Sequence, residues 1–502
     1  MLFTSFNFIL FITAVFGLYY IIPKRFQNSL QWKLLLVASM FFYYLTGWTN
    51  LIYIGITIIT TYIISAIIGA LHKKHEALSK PERKIHKKRN SRNLLLLLTL
   101  CLSINFGLLG MVKLTGLAIL GISFYTFRTM SYIIDLYRGK FPHERNIFKF
   151  ALYVSFFPLI IQGPITRYEE TAPALFGGTS FHTRKFFFGI QRILWGFFKK
   201  LVIADRLNIA VITLCSDPEQ YAGIYALLAM LFYAITLYAD FTGGIDITIG
   251  IGQTLGIPMA ENFNRPFLSR NIFEYWRRWH ITMGTWFRDY LFYPLSVCKP
   301  MLKFSSFLRK RLGNGIGKRI PVHLVTLFTW FCTGIWHGVS GNFIAWGLAN
   351  GLVIVISGEL EPLYKKFNNR FKFTKTRGYT AFEIFRTFWL MCFIRAFDCY
   401  ATISETVSIQ LSVFMNFNLN KFISEGVSNL GLDTADYIVA AAGIAVLILA
   451  SIIKTKSGVR EWLACKPITV RFAAYGALIF GILIFGVYGY GYDAQQFIYN
   501  RF

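Results

Sequence analysis

The chain has 502 residues, 55% of them hydrophobic, 18% aromatic and only 15% charged, with a mean hydropathy of +0.49. A soluble protein this apolar could not cover its surface with polar groups, which excludes a string of soluble domains and favours one continuous helical membrane body over residues 1–502. The formal net charge of +28 is carried by basic loops between hydrophobic stretches, the pattern of a cytoplasmic membrane face, and no basic stripe on a soluble module points to nucleic acid.

The opening MLFTSFNFILFITAVFGLYYIIPKR lacks a basic n-region and a small-residue cleavage site, so it reads as a retained first membrane helix over 3–22. Further apolar stretches follow near 31–47, 49–71, 93–112, 114–135, 222–241, 322–337, 341–358, 379–399, 436–453 and 472–491, with weaker ones near 147–163 and 186–213. A bilayer core takes about 20 such residues as helix, so the prediction is an all-α polytopic membrane protein with about 11–13 membrane-embedded helices.

Loop charge gives the orientation. Residues 73–92 hold nine Lys or Arg and two Glu, 299–319 hold seven basic residues, and 365–377 hold six. These three loops and the basic connector 454–471 should be cytoplasmic. Residues 405–436, with four acidic residues and one Lys, and the loop with Asp217 and Glu219, should face outside. Both termini then lie outside, and the protein is expected in the cytoplasmic membrane as a multi-pass chain.

The region 136–213 breaks this alternation. Pro158, Gly163 and Pro164 interrupt an apolar stretch. Re-entrant or interfacial segments fit it, because irregular backbone survives at membrane depth only where protein or water satisfies it. A loop outside the bilayer is the other reading. No repeated helix pattern suggests an inverted-repeat transporter. The seven cysteines form no CxxC pair and read as small apolar core residues; neither a disulfide framework nor a metal site is indicated.

Two stretches concentrate chemistry. The first is ENFNRPFLSRNIFEYWRRWHITMGTWFRDYLFYP, residues 261–294, too polar to span. Read as a helix from Asn271, it places Trp276, Trp279, His280, Met283 and Phe287 on one face, with Arg277, Arg278, Thr285 and Arg288 elsewhere on the wheel. Such a helix would lie along an interface, with His280 pointing into protein or lipid. It is either a structural helix whose imidazole donates one hydrogen bond, or the carrier of a positioned imidazole beside an acyl or acceptor channel. The second is FTWFCTGIWHGVSGNFIAWGLANG, residues 328–351. Here a hairpin of two short apolar runs would place His337 in a recess, with Gly334, Gly338 and Gly341 allowing close approach, unless the residue simply sits in an outer turn. A neutral imidazole can take a hydroxyl proton and return it to a leaving thiolate, and desolvation keeps it neutral. Asp240, which closes an apolar run, would hydrogen-bond an imidazole, cap a broken helix or pair with an Arg such as Arg277. A P-loop, GxSxG and HExxH are all missing.

YADFTGGIDITIGIGQTLGI, ENFNRPF, EYWRRWHITMGTWFRDYLFYPL and GIWHGVSGNFIAWGLANG together resemble the membrane-bound O-acyltransferase superfamily. They look most like its bacterial branch of alginate and peptidoglycan O-acetylation membrane subunits; teichoic-acid D-alanyl transfer proteins are more distant relatives. The resemblance spans roughly 1–400 and is strongest over 230–351. It implies helices around a central tunnel, His337 of the WHG motif as a catalytic residue and His280 as a second one in the tunnel. Trp276, Arg277, Arg278, Trp279, Trp336, Asp240, Asn262 and Arg288 are then expected to line the tunnel or hold the donor. The branch takes acetyl from cytoplasmic acetyl-CoA, with no bound cofactor, and passes it to an extracytoplasmic partner of the SGNH-hydrolase type that acylates a polysaccharide. Two departures stand out: Leu295-Ser296-Val297 where alginate-type members carry Leu-Gly-Gly, and GGID at 243–246 in place of Gly-Tyr-Ser-Asp. D-alanyl transfer to teichoic acid, a glycan or lipid transporter, and a scaffold without catalysis are the rival functions.

Overall fold

A computed structural model describes residues 3–453 and 458–488. Those residues are helical wherever they are regular, with no strand among them. Among the described residues, six helices are long and apolar enough to cross a membrane: Trp48–Ala77, Lys80–Thr115, Ile224–Leu255, Gly341–Arg370, Thr434–Ile452 and Ile468–Phe485. Phe6–Ile21 and Lys24–Thr46 also qualify when taken together, but the pair bends by 101°. Pro23 lies in that break, where its missing N–H and fixed φ end the first helix. The chain is therefore an all-α, multi-pass membrane protein.

The other predicted stretches are helical without meeting the same test. Residues 322–337 form the last part of the Lys299–His337 helix, and 379–395 lie in the helix Arg377–Arg395. The stretch 114–135 is split. Its helix starts only at Ile122, after Gly116 and Gly121, both left-handed with φ 68°. The start of the predicted connector 454–471, the end of the stretch 472–491 and both chain termini lie outside the described residues.

Two compact units divide the chain: one runs up to Trp195 and includes Gly244–Ala260; the other takes Gly196–Gly243 and the residues from Glu261 onward. In the first, the irregular segment 156–166 is buried throughout. Protein satisfies its backbone: Ser39 Oγ accepts from the Phe157 N–H at 3.2 Å, and Thr248 donates its hydroxyl to the Pro158 carbonyl at 3.0 Å. This is irregular backbone packed inside protein, the condition for its survival at membrane depth. A guanidinium–carboxylate pair, Arg192–Asp246 at 2.8 Å, ties the Thr183–Phe197 helix to the C-terminal part of Ile224–Leu255 within the same unit.

The second unit is built on a hairpin of Lys299–His337 and Gly341–Arg370. The first of these helices is kinked at Gly313 (φ 78°, ψ 168°). Glycines let the two meet: a Cβ on Gly334 or on Gly347 would stand 2.4 Å from the carbonyl oxygen of Phe343 or Trp330, respectively. In the same unit a π-helical turn, Phe198–Ala204, carries the buried Lys200. Its ammonium lies 2.7 Å from Asp240 and 2.7 Å from Asp205. Such turns concentrate at functional sites and hold a helix out of its regular register. Thr434–Ile452 and Ile468–Phe485 pack on this turn. The latter leaves Phe472, Phe480 and Ile484 exposed, an apolar surface suited to lipid.

Candidate active site

The polar stretch after the Ile224–Leu255 helix does not form one interfacial helix. Ile272–Arg278 and Ile281–Phe287 are separate helices, and His280 stands between them in the left-handed region (φ 46°, ψ 53°). Asn262 explains the break. Its Oδ1 accepts from the Thr282 N–H at 3.0 Å and from the Thr282 hydroxyl at 2.9 Å, and lies 3.2 Å from His280 Nδ1. Its carbonyl accepts from the Ile281 N–H at 3.0 Å, while the Asn264 N–H donates to the Arg278 carbonyl at 2.9 Å. One extended segment therefore caps the second short helix and fixes the ring. The periodicity put the imidazole on a buried face, and His280 is indeed fully buried. The continuous face through Trp276, Trp279 and Phe287 is overruled by this cap.

Burial and the nearby positive charge of Arg395, in that order, push the His280 pKa down to about 3. Its ring is neutral across the physiological range, since desolvation disfavours the charged form. The Phe241 ring meets it edge-on at 4.8 Å. On another side lies Trp336, 6.0 Å between centroids.

Trp336 is the link to the second imidazole. His337, the last residue of its helix and 6% exposed, lies 4.7 Å from the Trp336 ring and 4.6 Å from that of Trp346. Gly338 leaves in an extended conformation, and a Cβ there would strike the Phe343 ring at 2.2 Å. The hairpin thus places His337 inside protein and not on an outer rim. Trp276, Trp330 and Trp346 form a cluster with centroids 4.6–6.0 Å apart, and the Trp276 indole donates to Asn350 Oδ1 at 3.2 Å. Trp279 stacks on Tyr275 at 5.7 Å and 10°.

The structure thus brings together His280, His337, Asn262, Trp276, Trp279 and Trp336. The arginines lie elsewhere. Arg277 is exposed. Arg278 pairs with Glu274 at 2.6 Å. Arg288 opens a second π-helical turn and pairs with Asp289 at 2.9 Å. Asp240 does form an ion pair, with the buried Lys200 at 2.7 Å. Among the described residues no cluster of His, Cys, Asp and Glu is arranged to hold a metal ion.

Sequence reasoning missed Arg395, Trp346, Asn350 and Lys200. Arg395 had a readable signal: an ionisable residue in an apolar stretch, with Asp398 three residues on. The two are paired at 3.1 Å and almost fully buried.

Residues 138–402 match the model of the MBOAT, membrane-bound O-acyltransferase family. The probable alginate O-acetylase of Pseudomonas syringae pv. tomato is 34% identical over 380 residues, covering 71% of this chain and 66% of that protein. The peptidoglycan O-acetyltransferase of Helicobacter pylori is 28% identical, with 70% and 69% covered. The teichoic acid D-alanyltransferase of Bacillus subtilis is 28% identical, with 55% and 67% covered. The chain belongs to the membrane-bound O-acyltransferase family. It spans about two thirds of the length of the alginate O-acetylases it matches.

Proposed function

We propose that this chain is a membrane O-acyltransferase of the cytoplasmic membrane, which takes acetyl from cytoplasmic acetyl-CoA and relays it outward for O-acetylation of an extracytoplasmic polysaccharide. The observation that carries the reading is the buried pair His337 and His280, each beside the Trp336 ring. Aromatic walls exclude water, so a thioester reaching His337 is protected from hydrolysis. His337 accepts the proton of an acceptor hydroxyl, the oxygen attacks the thioester carbonyl, the carbon–sulfur bond breaks, and the same proton passes to the leaving thiolate. His280, neutral and fixed by Asn262, positions the acyl group or assists the proton transfer. The basic cytoplasmic loops attract the phosphates of the donor.

The acceptor polysaccharide and an extracytoplasmic partner of the SGNH-hydrolase type belong to the same reading; similarity to proteins named for alginate and peptidoglycan O-acetylation supports the former. A second reading, D-alanyl transfer to teichoic acid, is favoured by similarity to proteins named for that activity, such as the Bacillus subtilis one. Purified protein offered radiolabelled acetyl-CoA, or a D-alanyl carrier protein, with a glycan acceptor separates them. Transfer of acetyl alone supports the first reading. Transfer of D-alanyl alone supports the second, and transport or binding without transfer of either rejects both.

A further inference from the structure

Arg395 is the last residue of its helix, and its side chain is 4% exposed. The guanidinium carbon lies 4.4 Å from the ring centroid of Trp279 and 5.9 Å from that of Trp346. Trp279 is the residue before His280, and the Trp346 ring is 4.6 Å from His337. One planar cation therefore lies against the indole that directly precedes His280 in the chain and against the indole beside His337. We propose that Arg395 is a shared positioning residue of the two-histidine site, which sets the indoles of Trp279 and Trp346, and through them the rings of His280 and His337, in one fixed relation. The inference rests on the acyltransferase reading of that site.

Three observations support it. The charge is held in place: Asp398 accepts from Arg395 at 3.1 Å, one turn along the chain. The indole below is held too, because the buried Tyr275 ring stacks on Trp279 at 5.7 Å. Beyond Asp398, the chain returns to the hairpin, where Asn342 donates to the Tyr400 carbonyl at 2.5 Å, at the start of the helix that carries Trp346. A planar guanidinium stacks on indole faces in a way an ammonium does only in part, and a desolvated cation–π contact is among the stronger of its kind. The groups facing Arg395 are Asp398, the Tyr275 phenol, the thiols of Cys392 and Cys399, and His280. A fixed positive charge here also disfavours a second one on the His280 ring.

The test is a kinetic split with a graded set of variants. R395M/D398N removes both charges without orphaning the carboxylate, since a buried charge deprived of its partner is strongly destabilising. R395K keeps the charge and loses the planar fork. Each variant is checked for membrane insertion and melting in detergent, then assayed for the His337-dependent part of acetyl transfer. The expected result is a fall in kcat of about tenfold or more for R395M/D398N, with donor KM within about twofold, and recovery of most of that loss in R395K. Equal activity in all three proteins, or equal loss in both variants, overturns the proposal. Should the double variant fail to insert, R395Q/D398N, which also leaves no unpaired charge, takes its place beside R395K, with the same result expected and the same results overturning the proposal. If the wild-type chain shows no His337-dependent transfer, the acyltransferase reading itself fails and takes the inference with it.

Discussion

Asn262 holds His280. One amide oxygen faces the imidazole Nδ1 at 3.2 Å while it caps the following helix through Thr282, so the cap and the ring orientation depend on the same atom. Replacing Asn262 with Ala leaves the buried Thr282 N–H and the imidazole without that acceptor, a loss of about 1–3 kcal/mol. The N262A protein is expected to melt earlier in detergent and to lose activity; unchanged melting with full activity would show that this capping does not order the site.

His280 makes stability depend on pH. Its folded pKa is lowered to about 3 from an ordinary value near 6.5, so between these two values the unfolded chain binds more protons than the folded one. Stability conferred by a neutral His280 is therefore complete above about pH 6.5 and declines as the pH falls toward 3. Melting temperature in detergent should drop across that window. The variant H280N, which tolerates the left-handed backbone, should drop less steeply, and an identical slope in both proteins would contradict the assignment.

Lys200, Asp240 and Asp205 form a buried trio in which the roles are unequal. K200M leaves two carboxylates facing each other without their cation, whereas D240N leaves the ammonium paired with Asp205. Breaking a buried ion pair costs about 3–5 kcal/mol. K200M is expected to reduce insertion yield and melting temperature well beyond D240N. The reverse order would show that the lysine is the dispensable member.

The hairpin needs its glycines unequally. G334A drives a methyl to 2.4 Å from the Phe343 carbonyl, while at Gly341 the nearest atom is an Ile403 methyl at 3.3 Å. Overpacking of this kind costs about 1–3 kcal/mol. G334A should lower the melting temperature and displace His337, with loss of activity, and G341A should retain both. Equal tolerance at the two positions would mean that the hairpin opens without consequence.

The membrane class was legible because composition is a sum over the whole chain and tolerates local error. The site was legible in part. His280, His337, Trp276, Trp279, Trp336 and Asn262 all lie in the two stretches singled out by their polarity within an apolar chain, and the structure gathers them. The arginines Arg277, Arg278 and Arg288 share those stretches but lie outside the imidazole cluster; the helical wheel had set them off the His280 face, and only the family resemblance drew them toward the donor. What the wheel missed is the break itself. That break depends on Asn262, eighteen residues upstream of His280, and on one positive φ, which window-based reading does not reach. Arg395 announced itself as a charge in an apolar stretch and Trp346 lies in the second stretch, but which rings they meet is set only by tertiary packing. Asp240 illustrates the same limit: its charge announced an ion pair, but its partner, Lys200, lies forty residues upstream on a π-helical turn that no pattern of apolar residues announces.

The central claim is that the imidazole of His337 carries acyl transfer. It is tested most directly by following labelled acetyl from acetyl-CoA to a polysaccharide acceptor in membranes holding equal amounts of inserted wild-type protein or H337A. A general base contributes about 10²–10⁴-fold, so transfer by H337A should fall by at least about a hundredfold while melting and insertion stay near wild type. Full transfer by a folded, inserted H337A would contradict the account.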